Sequence, residues 1–596
     1  MQELLDEKKD REELEKKAES LQQLRKSVKQ ARENWAAVQS AASSGSAKEA
    51  SGGSEPVSFA NDSPSQTRDD WEYLKNTEGA QSPPLDELMG MIGLEEVKQA
   101  FMDIKNRVDT NVRQNVSLQK QRYSAVMLGN PGTGKTTVAR LYAKFLASIG
   151  VIPGIKFEET TGAKLANMGV SGCQKLLDDM LDDGGGVMFI DEAVSDKYHG
   201  GGAVLDFLLA EVENQSGKIA FVLAGYNKNM ESFFAHNPGL PSRFPYEIKF
   251  ADYTDDELLH ILGLKINTQY NGTMVCEDGL YGLYCRIVAK RLGRGRGKEG
   301  FGNARAVENS LAIIAQRQAT RLARERRQGH KPDDLYLTWE DLIGPKPSEA
   351  LSRSSGWQDM QKLCGIHSVK EAVRSLVDSI QQNYQRELDE QPPIEYSLNK
   401  VFLGNPGTGK TTVAKLYGRI LVDLGLLTKG EVVVKNPSDF LGAALGQSEE
   451  KTKGILAATV GKVLVIDETY GLYSGSAQDP YKTAVVDTIV AEVQSVPGDD
   501  RCVFLLGYKD QMEDMFQNVN PGLSRRFPIA SAFSFEDFSN QELRIILDLK
   551  LKQQGFGATD QAKNVALEML DRARNRPNFG NAGEIDLILD ATKARH

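Results

Sequence analysis

Short, wholly apolar runs alternate along this chain with segments in which apolar residues recur every three or four positions. Ala125–Leu128 and Val401–Leu403 are runs of the first kind, and VARLYAKFLASIG and VAKLYGRILVDLG follow them as segments of the second. A continuous apolar run of that length fits a strand covered on both faces, and the helical period fits the element that covers it. Val187–Ile190 and Val463–Ile466 are two more such runs, so the pattern predicts an α/β fold with parallel sheets. Thr254-x-x-Glu257 and Ser539-x-x-Glu542 are capping boxes ahead of LLHILGLKI and LRIILDLKL, and they predict the start of a small helical lid after each sheet. Residues 1–40 read otherwise. They are dense in Glu, Lys, Gln and Leu, without Gly or Pro, and predict an N-terminal helix. Leu14, Leu21, Val28 and Trp35 at a, with Lys17, Leu24, Ala31 and Val38 at d, fit either a short coiled coil or a single solvated helix. From 41 to 84 the composition shifts to Ser, Gly, Ala, Asp and Pro, which predicts a flexible linker.

The remainder is a duplication. GNPGTGKTT occurs at Gly129–Thr137 and at Gly404–Thr412, with Lys135 and Lys410 lying 275 residues apart. VMFIDE returns as VLVIDE, NPGLPSRFP as NPGLSRRFP, and FGNA at Phe301–Ala304 as FGNA at Phe579–Ala582. Four landmarks in one order at nearly one offset mean a repeated domain. The division is 85–345 for the first module with its lid and 346–596 for the second. The second lid stops short of the first and is expected to be truncated, as in a fragment or an unusual gene product.

Composition narrows the function class. A chain of 596 residues with 26% charged and 40% hydrophobic residues is ordinary globular material for two to four domains. The net charge of −10 supplies no global field for nucleic acid or anionic lipid, so both are disfavoured as partners. Five cysteines without zinc spacing fit a reducing compartment. No apolar run approaches the roughly 20 residues a membrane helix needs, and the charged start from Glu3 is no signal peptide. The expectation is a soluble intracellular protein, cytoplasmic or nuclear.

The landmarks carry phosphate chemistry. A strand, a glycine-rich turn and a helix N-terminus make an anion cradle of backbone N–H groups. Its residues are Gly129, Asn130, Pro131, Gly132, Thr133, Gly134, Lys135, Thr136 and Thr137, and again Gly404, Asn405, Pro406, Gly407, Thr408, Gly409, Lys410, Thr411 and Thr412. The lysines are expected on the β and γ phosphates of ATP, and the Thr136 and Thr411 hydroxyls on Mg²⁺. At the carboxyl ends of the next buried strands, Asp191 and Asp467 would orient Mg²⁺ through water, and Glu192 and Glu468 would polarise the attacking water. Arg243 and Arg526, with Arg525 as an extra cation, are candidates to stabilise γ-phosphate charge across an interface. Arg305 follows FGNA in the first lid and is placed to reach phosphate; the second copy has Gly583 there.

With these residues assembled, the chain resembles the CbxX/CfqX branch of the AAA+ ATPases over both repeats. AGYNKNM…NPGLPSRFP and LGYKDQM…NPGLSRRFP carry the resemblance most specifically. It implies a five-stranded parallel αβα core with a helical lid in each module, active as a homo-oligomeric ring. It also implies that Ile92–Gly93 and Cys364–Gly365 lie on the adenine side, and that Tyr226 and Tyr508 are strand-end polar sensors. The sequence departs from the family at the pore-facing loop, where Met168 and Ala444 stand in place of an aromatic residue. The reading is an ATP-hydrolysing ring that remodels a protein partner of unknown identity. Its rival is a nucleotide-gated assembly switch or scaffold. A third reading, a nucleic-acid remodeller, rests on the basic stretch Arg286–Lys331.

Overall fold

The computed structural model describes residues 65–192, 201–226, 230, 239–298, 300–394, 397–475, 479–493, 500–576 and 579–594. The charged segment 1–40 lies outside them, as does the expected linker up to residue 64. The rest of that linker is corrected by the fold. Gln66–Glu78 is a helix whose N-cap, Ser65, accepts from the Arg68 N–H, and Pro83–Met89 is a second. Trp71 is fully buried, and its indole donates to Asp86 at 2.9 Å. One large aromatic anchors a segment whose average composition is that of a linker.

Contacts group the chain into two compact units, Met1–Met274 with Gly295–Ile313 and Val275–Arg294 with Ile314–His596. In the first, β1 (Ala125–Gly129), β2 (Lys156–Thr161), β3 (Gly186–Asp191), β4 (Ile219–Gly225) and β5 (Tyr246–Phe250) form a parallel sheet in the order β2-β3-β4-β1-β5. Helices α1 (Glu95–Arg113) and α2 (Lys135–Ser148) bury Phe101, Tyr142 and Phe145 in a core shared with Val187 and Phe189 of one sheet face. Helix α3 (Gly162–Asp182) and the helix Gly201–Asn214 pack in the core on the other face. Helix α4 (Asp255–Gln269) opens the lid behind the Thr254 capping box, as its sequence predicts.

The second unit begins with α5 (Leu283–Gly293) and the later part of α6 (Ala304–Arg327), so packing units do not follow the repeat boundary. A two-stranded pair, β6 (Val275–Cys276) and β7 (Tyr336–Leu337), accompanies them. After α7 (His367–Leu388) come β8 (Lys400–Gly404), α8 (Lys410–Asp423), β9 (Val432–Lys435), β10 (Val463–Ile466), β11 (Cys502–Gly507) and β12 (Phe533–Phe535). Their order, β12-β8-β11-β10-β9, reproduces the first sheet. The lid comprises α9 (Asn540–Gln553), behind the Ser539 capping box, α10 (Asp560–Arg574) and α11 (Ala582–Lys593). In each sheet the first strand sits between the fourth and fifth. The glycine-rich turn therefore leaves β1 or β8 beside the carboxyl ends of β4 or β11, where open α/β sheets place ligands. Among the described residues, no helix is long and apolar enough to cross a membrane.

Candidate functional site

Both phosphate-binding turns fold back on their own lysines. Lys135 Nζ donates to the carbonyls of Gly129 and Asn130, and Lys410 Nζ to those of Gly404 and Asn405, all at 2.8 Å. Burial lowers the pKa of each ammonium, while Asp191 and Asp467 act in the opposite sense. Thr133 and Thr408 close the turns by donating to the Asn130 and Asn405 carbonyls. Gly132 and Gly407, at φ 69° and 70°, admit no side chain, because a Cβ would meet the Gly302 or Gly580 carbonyl at 2.2 or 2.0 Å. Thr136, Thr137, Thr411 and Thr412 occupy the first turns of α2 and α8.

The paired carboxylates share an unusual backbone. Glu192 and Glu468 stand at φ 47° and 49°, a left-handed conformation that is rare for residues with a side chain. Each is held there by the preceding aspartate, whose Oδ1 accepts the glutamate's own N–H at 2.9 Å. The same device in both copies fixes where two glutamates leave their strands.

Sequence reasoning missed the parts that tie this turn to the lid. Asp252 accepts from Asn130 Nδ2 at 3.0 Å and from Asn303 Nδ2 at 2.7 Å, and Asn303 Oδ1 accepts the Tyr253 N–H. Asp537, Asn405 and Asn581 repeat the arrangement around Phe538. Asn130 and Asn405, expected to belong to the backbone cradle, use their side chains to hold the hinge, and Pro131 and Pro406 contribute carbonyl acceptors. The signal was present as a fifth repeated string, FADYT and FEDFS, just ahead of the two capping boxes. Asp252→Ala should take the 2.7 Å acceptor from the fully buried Asn303 amide, leaving it the longer contacts to the Pro131 and Phe301 carbonyls at 3.3 and 3.1 Å, and cost about 1–3 kcal/mol. A melt of the first module that matches the wild type would refute this role. Buried Lys98 and half-buried Lys370 were missed as well. Lys98 donates to the Met91 carbonyl and Lys370 to those of Gln361 and Leu363, fixing the segments before Gly93 and Gly365.

In the second copy these groups enclose a cavity of about 650 Å³, within the range that small-molecule ligands occupy. Lys410, Thr411, Asp467, Glu468, Tyr508 and Cys364 line it together with α9 and Gly583. Arg305, in the first copy, is exposed and lies near enough to Lys135 to disfavour its charge. Arg243 and Arg526 are anchored elsewhere. Arg243 donates to the Leu209 and Gly239 carbonyls, Arg526 to those of Val493 and Gly522, and Arg526 does not line the cavity. Arg525 is exposed, with no hydrogen bond or ion pair among the described residues. Tyr226 follows β4, and Tyr508 caps the helix Lys509–Asn518.

The two loops expected to face a pore each carry a glycine at positive φ: Gly169 breaks α3 at φ 67° and ψ −179°, and Gly446 takes φ 86° and ψ −23°. Leu445 is 80% exposed, and Met168 and Val170 are exposed beside their kink. The basic stretch, by contrast, is occupied within the fold. Arg286 and Lys290 bind Glu390, Arg291 and Arg294 bind Glu387, Arg321 binds Asp341, and Arg326 pairs with Asp334.

Comparison with known proteins agrees with this geometry. The family described as "ATPase family associated with various cellular activities (AAA)" matches residues 125–251 and 401–534, and "AAA lid domain" matches 254–352 and 539–596. Protein CbxX, chromosomal, of Cupriavidus necator is 35% identical over 236 residues, 40% of this chain and 73% of that protein. The chloroplastic ribulose bisphosphate carboxylase/oxygenase activase of Cyanidioschyzon merolae is 34% identical over 240 residues, 39% of this chain and 79% of its own length. Protein CbbX of Cereibacter sphaeroides is 35% identical over 267 residues, 44% of this chain and 81% of that protein. Each alignment spans about the length of one module.

Proposed function

The chain belongs to the AAA ATPases, among relatives of the CbxX type, and from that premise we propose that both modules bind and hydrolyse ATP in a homo-oligomeric ring that remodels a protein partner. One observation carries the proposal: in two copies, an aspartate holds the next glutamate in left-handed backbone at the strand end facing a half-buried P-loop lysine. Lys135 and Lys410 neutralise β and γ phosphate charge, and backbone N–H groups of Gly132–Thr136 and Gly407–Thr411 cradle the oxygens. Thr136 with Asp191, and Thr411 with Asp467, would hold Mg²⁺, which neutralises phosphate charge when bound. Glu192 and Glu468 accept the proton of the attacking water. Arg243 and Arg526 stabilise the transferring phosphoryl group of a neighbouring subunit, and Arg305 senses phosphate from the lid.

The exposed apolar tips Met168, Val170 and Leu445 support contact with polypeptide, because such tips grip without needing a particular sequence. The internal pairing of the basic stretch counts against nucleic acid. The rival reading, an assembly switch with incidental turnover, draws on Gly583, which leaves the second lid without the cation that Arg305 supplies in the first. Equilibrium dialysis is expected to find two nucleotides per wild-type chain and one in Lys135→Ala or Lys410→Ala. Loss of all binding in either single variant would sink the two-site reading.

A further inference from the structure

Just beyond Glu468 the chain turns into the short helix Thr469–Leu472, and this turn is tied down on both sides. The Gly471 N–H donates to the Glu468 carbonyl at 2.8 Å, and the buried Thr469 hydroxyl donates back to the Ile466 carbonyl at 2.7 Å. Leu472 is buried in the core on that face of the sheet and anchors the far end. Tyr470 is thereby brought to the wall of the cavity, beside Asp467, Glu468 and Tyr508.

The ring of Tyr470 has a fixed seat. It lies against the Tyr508 ring with centroids 5.6 Å apart and planes 33° from parallel. It also passes so close to the end of β11 that a Cβ at Gly507 would stand 3.0 Å from it. From that seat the Tyr470 hydroxyl donates to the Glu468 carboxylate. Burial, and next the charge of Glu468, push the phenol above its ordinary value, so it enters this bond as the donor. The first copy differs here, because Glu192 is followed by Ala193 and Val194, and no hydroxyl stands two places on.

We propose that Tyr470 is a positioning residue for the hydrolysis of ATP in the second module, its hydroxyl holding one carboxylate oxygen of Glu468 while the other stays free for the attacking water. This rests on the role proposed above for Glu468. Left-handed backbone fixes where Glu468 leaves its strand, but the side chain is exposed and has three torsions of its own beyond that point. A general base has to stand within hydrogen-bond reach of the proton it takes. A carboxylate has about four lone-pair sites on two oxygens, so it can accept one bond from a phenol and still receive a proton from water. Packing alone would need only the ring, which phenylalanine also supplies. The hydroxyl is the part that packing does not explain, and it meets the one side chain in the cavity that has to be aimed.

The test uses the full chain carrying Glu192→Gln, so that turnover reports the second module. Adding Tyr470→Phe keeps the ring on Tyr508 and removes only the hydroxyl. We expect kcat to fall by about 10–100-fold, the scale of a misplaced catalytic group, while ATP affinity measured by dialysis and the melting temperature stay where they were. A kcat that is unchanged or raised overturns the positioning role. So does a loss of ATP affinity or of melting temperature along with kcat, because the hydroxyl would then serve the pocket's structure. Glu192→Gln chains that bind ATP at the second site and hydrolyse none overturn it too, since a positioned base would be doing nothing. Glu468→Gln in the same background keeps the two readings apart. If that chain hydrolyses ATP as fast as its parent, the role of Glu468 itself fails. If it is silent and Tyr470→Phe has no effect, only the positioning fails.

Discussion

Replacing Glu192 by Gln is expected to lower ATP turnover of the first module by about 10²–10⁴-fold while ATP stays bound. Gln keeps the shape of the side chain and the backbone hydrogen bond from residue 192 to Asp191, so the left-handed geometry survives. What it loses is the group that takes a proton from water. Glu468→Gln should cost less of the total, because the second module is expected to be the weaker engine. Its lid has Gly583 where Arg305 stands, and Phe538 where the Tyr253 hydroxyl donates to the Thr133 carbonyl at 3.2 Å. Both differences fall on the lid hinge, so phosphate and lid position are less tightly linked there. Equal losses from the two substitutions would refute the asymmetry. Gly583→Arg supplies a converse check, since a Cβ at that position meets nothing within 4 Å. It should raise the ATP-over-ADP preference of the second module by about tenfold or more, the value of one hydrogen bond of roughly 1.5–3 kcal/mol to a charged group.

Elements with strong local signatures were legible in the chain. Buried strands announce themselves as unbroken apolar runs, and both capping boxes formed as written. The family resemblance supplied five strands per module, and both sheets have them. What escaped depends on contacts between distant positions. Asn130, Asp252 and Asn303 come together only once β1, β5 and the lid are placed, so the part that the P-loop asparagine's side chain plays at the hinge has no local signature. Trp71 turned an apparent linker into packed helix, because burial of one ring outweighs the average of its neighbours.

The other large effect is expected at Arg243, where Ala should cut turnover by about 10³-fold or more, in the range assigned to arginine fingers, and spare ATP affinity. The geometry gives this residue two jobs. Its Nε and Nη1 hold the Leu209 and Gly239 carbonyls, and Nη2 lies 3.5 Å from Glu213. A guanidinium has five donors in a rigid fork, so this anchoring fixes the plane of the group and leaves further N–H groups for a neighbour's phosphate. Ala removes both jobs at once, and mixing separates them. In a Glu468→Gln background, which silences the second module, Arg243→Ala chains have an intact P-loop without the finger, and Lys135→Ala chains have the finger without a nucleotide. If the arginine acts across an interface, mixed assemblies place an intact finger beside an intact P-loop, and turnover should exceed that of either variant alone. If it only braces its own helix end, the melting temperature of Arg243→Ala falls and no mixing ratio restores activity. Arg243→Lys sharpens the distinction, because a lysine keeps the charge but cannot span both carbonyls and a phosphate. Its turnover should stay close to that of Ala if the fork is what matters, and should return to near wild type if charge alone is enough.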